Sequence, residues 1–191
     1  MRDDRGPESA NVPSLGDDLK EVVMGLHWDP RQPDAAGGAE VINLDALCLA
    51  LDEEGRMVDA VHPGRTRNAN GSIVHTGDSA TGASAWDDER IFVFLEALPP
   101  SVSAVEFAVS SATGQPLSEV PGACCHVSDR VSEREWIRID LTAVGLHRAC
   151  RVATVHREPG GWRISPDAQT MDSAAVTELL SLPAVGNTGG T

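Results

Sequence analysis

Apolar residues fall into short runs separated by turn residues roughly every ten to fifteen positions, the spacing of an all-β chain. Glu21–Trp28 (EVVMGLHW) is the first predicted strand. Val41–Leu51 (VINLDALCLAL) is the second. It closes on the turn Asp52-Glu53-Glu54-Gly55, and Arg56–His62 returns as the other arm of a hairpin. Ser72–His75 is short, whereas Arg90–Leu95 (RIFVFL) is apolar on both faces, as a central sandwich strand can be. Ser103–Ser110 alternates, with Val105, Phe107 and Val109 inward and Glu106 outward. Ala123–Ser128, Glu135–Leu141 and Ala149–Arg157 complete the strands, and Trp136, Arg138 and Asp140 oppose Ile137, Ile139 and Leu141.

One segment has helical spacing. Asp172 caps Ser173–Leu182, in which Ala175, Val176, Leu179 and Leu180 recur on one side. Together these elements predict a mainly β fold, a β-sandwich of two mostly antiparallel sheets with a short C-terminal helix. Residues 1–10 are expected to form a flexible N-terminal segment, 11–183 a single domain and 184–191 a flexible tail.

Charge narrows the partners. The 191 residues carry 15 basic and 29 acidic side chains, a net charge of −14. Such a surface repels phosphate backbones and anionic lipid, so no nucleic-acid partner is expected and cations are the natural guests. No apolar run approaches the roughly 20 residues of a spanning helix, and the N-terminus lacks a signal-type hydrophobic segment. A cytoplasmic location without membrane insertion is the expectation. Cys48, Cys124, Cys125 and Cys150 suit a reducing compartment, and no C-x-x-C pair offers a zinc site.

The stretch His75–Glu89 (HTGDSATGASAWDDE) concentrates acid in this already acidic chain. It reads in three ways. Asp78, Thr81 and Gly82 suit a plain connecting turn. Gly77-Asp78-Ser79 matches the nucleophile block of GDS-type hydrolases, yet the D-x-x-H pair, Asp59–His62, precedes it, and a serine without an ordered base is a poor nucleophile. Thirdly, the loop can contribute to a calcium cage, which needs six to eight oxygens. Its twelve residues from Asp78 to Glu89 fail the EF-hand pattern, because Ala80 and Gly82 stand where side-chain ligands belong. Further oxygens must then come from elsewhere. Asn43 and Asp45, two apart on a strand, share a face and can supply them; a carboxylate among apolar neighbours there needs a cation or donors. His27, His75, His126 and His156 read as structural histidines, and Trp28, Trp136 and Trp162 as core. Trp86, inside the acidic loop, reads as a lid or contact patch.

Taken together, these blocks resemble the tellurium-resistance TerD family of bacterial stress proteins. Gly25-Leu26-His27-Trp28-Asp29 is close to that family's G-L-G-W-D, and Asn43-Leu44-Asp45-Ala46 to its D-L-D-A. Asn70–His75 resembles D-G-S-V-x-H, and the loop that follows resembles G-D-N-x-T-G with D-D-E. His156-Arg157 and Gly160-Gly161-Trp162-Arg163 resemble Y-R-x-x-G-G-W-K. The resemblance covers about residues 10 to 170. It implies a β-sandwich, one or two calcium ions, a role in stress response and tellurite resistance, and association with other Ter-type proteins; it does not imply an established catalytic activity, and no enzyme is expected. Carried over by position, Asp45, Asp78, Asp87, Asp88 and Glu89 match acidic positions of the binding motifs, and Asn68 an asparagine ahead of the third block. Asn43 replaces the first Asp of D-L-D, which removes one anionic ligand. A metal-free interaction scaffold on the same fold is the alternative.

Overall fold

The computed structural model describes residues 19–32, 37–38, 40–172, 174 and 176–177. Ten strands follow one another: β1 (Glu21–His27), β2 (Leu44–Leu51), β3 (Met57–Val61), β4 (Ile73–His75), β5 (Glu89–Phe94), β6 (Ala104–Ser111), β7 (Cys124–Asp129), β8 (Glu135–Asp140), β9 (Ala149–Glu158) and β10 (Gly161–Thr170). They form two five-stranded antiparallel sheets, ordered β4-β5-β1-β7-β8 and β10-β9-β6-β2-β3. Strand alternation sends one face of each sheet into a shared core. Met24, Leu26, Ile91 and Val127 of the first sheet belong to one buried cluster with Leu44, Cys48, Phe107 and Val155 of the second.

β10 is the strand that sequence periodicity did not anticipate. Trp162 and Ile164 are buried and alternate with Arg163 and Ser165, but Pro166-Asp167 interrupts the pattern. The strand survives because it lies at a sheet edge and its register with β9 shifts between Pro166 and Gln169. Edges and bulges are where a sheet tolerates proline. Arg157, opposite Trp162 in the register, stacks its guanidinium 4.3 Å from the indole and donates to Val102 O at 2.9 Å.

β5 is apolar on both faces, as its pattern predicts: Ile91 and Val93 point into the core, whereas Phe92 and Phe94 are half-buried on the outer side beneath Arg130. One other expectation needs correction. Residues 41–43 precede β2 rather than belonging to it, with Val41 exposed and the Ile42 carbonyl accepting from Trp28 Nε1 at 3.2 Å. The expected helical cap is present. Asp172 Oδ1 accepts from the Ala174 N–H at 2.9 Å, and Val176 packs on the outer face of the second sheet with Leu47, Ala108 and Ala149. The remainder of the predicted helix, the N-terminal segment and the tail lie outside the described residues.

Trp28 sets the position of the long β4–β5 connection, residues 76–88. Its side chain is 0% exposed. Gly82, at φ +61°, lies so close that a Cβ there would stand 2.2 Å from Trp28 Nε1. Gly82→Ala is therefore expected to destabilise the fold by about 1–3 kcal/mol through overpacking and strain. Gly55→Ala is the control, since Gly55 has φ +74° but no atom within 4 Å of the added Cβ. Urea unfolding midpoints measure both; equal losses would show that only the backbone angle matters at Gly82.

Candidate metal centre

Residues 76–88 join two neighbouring antiparallel strands by a connection far longer than a tight hairpin needs, a length associated with binding loops. The loop is held by acids at its end. Asp87, Asp88 and Glu89 are consecutive, and each meets a histidine from a different strand. Asp87 Oδ1 lies 3.1 Å from His126 Nε2 of β7, and Arg90 Nε donates to its Oδ2 at 2.7 Å. Burial opposes ionisation of Asp87, but His126 and then Arg90 outweigh it and hold the carboxyl below its ordinary range. Gly25 makes room for that pair, because a Cβ there would stand 2.2 Å from His126 Nε2.

Asp88 turns the other way and ties the loop to β1. Its side chain is fully buried, with Oδ2 3.0 Å from His27 Nδ1 and accepting the Trp28 N–H at 3.1 Å. Asp88 Oδ1 accepts from the Ser84 N–H at 3.0 Å. Ser79 Oγ reaches the same oxygen at 3.5 Å, and among the described residues no histidine lies within hydrogen-bond reach of that hydroxyl. Ser79 thus lacks the ordered base that acyl transfer requires.

Glu89 opens β5 and points into the sandwich. Both Glu89 and His75 have 0% exposed side chains, with Oε2 3.2 Å from His75 Nε2. His75 Nδ1 accepts the Gly77 N–H at 2.9 Å, which leaves Nε2 protonated and donating to Glu89. Oε2 also accepts the Ala46 N–H of β2 at 2.8 Å, and Oε1 the Ser79 N–H at 3.2 Å. One carboxylate therefore joins both sheets and the loop.

Asp45, Asp78 and Glu89 converge, with one oxygen of each within 4.8 Å of the others. Asn43 stands beside them, its Nδ2 donating to Asp78 Oδ1 at 3.3 Å while its buried Oδ1 meets no donor. Burial, then the carboxylates of Glu89 and Asp78, push the Asp45 carboxyl up to about 6 against an opposing effect of His75. Three acids from β2, the loop and β5 thus crowd one spot at a cost in charge repulsion, and every donor atom there is oxygen.

Of the seven residues singled out from sequence, four meet: Asn43, Asp45, Asp78 and Glu89. Three are directed elsewhere. Asp87 faces the outer side of the sheet, and Asp88 anchors the loop. Asn68 is buried in the turn before β4, where its Oδ1 accepts the Ile73 N–H at 2.9 Å and its Nδ2 reaches Ser72 Oγ at 2.9 Å. Among the described residues one three-carboxylate group forms. His27, His75 and His126 are structural histidines, as expected, but their pairing with the three consecutive acids was not legible because nothing local in the sequence marks it.

Against known proteins, residues 8–181 match the family model of the TerD domain. The chain is 34% identical to the tellurium resistance protein TerZ of Serratia marcescens, over 75% of this chain and 77% of the relative. It is 30% identical to the general stress protein 16U of Bacillus subtilis (strain 168), over 77% and 79% of the two chains. The crystal structure of a homologue of the telluride resistance protein TerD from Streptomyces coelicolor A3(2) superposes with a TM-score of 0.73 at 25% identity, covering 86% of this chain and 99% of that one. With the sandwich, the acidic loop and these matches in agreement, the chain belongs to the TerD family of tellurium-resistance and stress proteins.

Proposed function

We propose that this chain is a calcium-binding stress-response protein that holds one ion among Asn43, Asp45, Asp78 and Glu89. The observation that carries the reading is the convergence of three carboxylates from three separate segments, beside a buried amide oxygen that has no donor. The donor set is hard oxygen throughout, with Cys48, Cys125 and Cys150 buried as free thiols, which favours calcium over zinc. A bound cation would neutralise the crowded acids and cross-link β2, the loop and β5. The stress role rests on relatives named for tellurium resistance and general stress. Among the described residues no helix is long and apolar enough to cross a membrane. The second reading, a metal-free scaffold, draws support from Glu89, whose oxygens already accept from Ala46, Ser79 and His75. No catalytic role is assigned to Ser79.

Calcium titration of chelator-treated protein separates the two readings. A ligand at about 100 times its dissociation constant adds roughly 2.7 kcal/mol of stability, so millimolar calcium is expected to raise the melting temperature, and magnesium to do much less. Asp78→Asn is expected to weaken calcium binding, whereas Glu53→Gln, in the exposed β2–β3 turn, removes the same charge and is expected to leave it unchanged. An unaltered melting temperature, or equal losses in the two variants, rejects the cage.

Burial and repulsion at the site give an independent check without metal. The Asp45 carboxyl is raised in the fold from 3.8 to about 6, so between these values the native chain keeps a proton that the unfolded chain releases. Stability of the calcium-free protein on this account falls as pH rises through that window, and the full cost is present above it. Asp45→Asn removes the cost. Its chelator-treated form is expected to melt higher than the parent at pH 7, with the gap closing as pH falls toward 4. A gap independent of pH would rule out Asp45 titration as its source.

A further inference from the structure

The outer face of the first sheet, remote in orientation from the acid cluster, carries a groove that the calcium reading does not use. A cavity of about 460 Å³ is lined by His27, Trp86, Arg90, Phe92, His126 and Arg130, among others. A second of about 290 Å³ adjoins it, shares Phe92 and Arg130, and adds Arg67 and Phe94. The larger volume falls within the range of small-molecule sites. His126 and Asp87 form part of its floor, seated over Gly25, where β1 presents no side chain.

The charges lining this face are arranged so that donors are left over. Glu21 is paired with Arg130, Glu135 with Arg138, and Asp87 with Arg90 and His126. Asp129 accepts from the Val131 and Ser132 N–H groups. Glu133 remains at the rim as an exposed carboxylate. The arginines are only partly used. Arg90 commits Nε alone and Arg130 commits Nη1 alone, while Arg67 meets no acceptor among the described residues. Arg130 also lies across two phenyl rings, 5.9 Å from Phe92 and 5.7 Å from Phe94, which fixes where its spare N–H groups are displayed. Although the chain carries a net charge of −14, guanidinium donors without acceptors thus gather around one apolar strip. Planar guanidinium forks suit phosphate oxygens. At the other end Trp86 is 78% exposed, an unusual position for the largest apolar side chain, and it stands at the mouth of the cavity beside His27.

We infer that this groove binds a small phosphate ester carrying a planar ring, of nucleotide size, with its phosphate among Arg90, Arg130 and Arg67 and its ring against Trp86. The guanidiniums of Arg90 and Arg130 in the larger cavity receive a first phosphate, and Arg67 in the adjoining one a second. Binding is independent of calcium, because none of the clustered acids lines the groove.

Calorimetric titration of the full chain with adenosine monophosphate, adenosine diphosphate, adenosine and inorganic phosphate tests this, with and without calcium. Both nucleotides are expected to saturate, and to bind more tightly than either adenosine or phosphate alone. Trp86→Ala, at an exposed position, is expected to weaken the nucleotides by roughly tenfold through lost stacking. Arg67→Gln is expected to weaken the diphosphate more than the monophosphate, and Arg130→Gln both. Absence of saturable nucleotide binding at millimolar concentration overturns the inference, as does nucleotide affinity equal to that of phosphate alone. An Asp/Glu-rich peptide that displaces the nucleotides at lower concentration also overturns it, by assigning the face to a protein partner. Loss of calcium binding alone would strike the proposed function and leave this one standing.

Discussion

A carboxylate removed from water must be paired, and in this protein one such group organises the rest. Glu89 sits at the start of β5 with no exposed surface, and its two oxygens are claimed by backbone of β2, backbone of the loop and a histidine of β4. Those partners come from opposite sheets. A buried acid left without any of them would carry a large desolvation cost, so the sheets, the loop and His75 are held in one relative arrangement. The hydrophobic core supplies the larger share of stability, but apolar packing alone does not specify where a thirteen-residue loop ends up.

The same logic is applied to the two residues before it, with different results. Asp88 is buried under the loop and secures it to Trp28 and His27. Asp87 emerges on the outer face and joins Arg90 and His126. Three consecutive acids thus perform three tasks, because the entry into β5 directs successive side chains differently. Only Glu89 of the three contributes to the crowded centre, where Asp45 and Asp78 arrive from other segments. Burial, and then repulsion from Glu89 and Asp78, raises the Asp45 carboxyl.

The sandwich therefore serves as a rigid base with two unlike surfaces near one loop. At one end, oxygen donors gather around the acid cluster. On the outer side of the first sheet, arginines and aromatic rings gather beside Trp86, which belongs to the same loop. Membership of the TerD family accounts for the fold and the acidic motifs. It does not by itself account for the groove, whose character depends on Arg67, Arg90 and Arg130 and on the exposed Trp86.

Strand positions were legible in the sequence because side-chain alternation is a local property. Val105, Phe107 and Val109 announce β6 whatever they pack against. Convergence of Asp45 with the loop was also legible, since a carboxylate on an apolar strand, between Leu44 and Ala46, demands a partner. β10 was obscured because Pro166 is acceptable only at an edge, and edge status is a property of the sheet rather than of the strand. The outer exposure of Phe92 and Phe94 was hidden for a similar reason: an apolar run does not say which side receives cover. The division of labour among Asp87, Asp88 and Glu89 had no sequence signature at all. Their composition fixed only that three negative charges would need partners; which partners, and hence which acid was left to face Asp45 and Asp78, was decided by strands β1, β4 and β7 bringing His27, His75 and His126 alongside. Side-chain type is written in the chain, but pairing between distant residues exists only once the sheets have closed on each other.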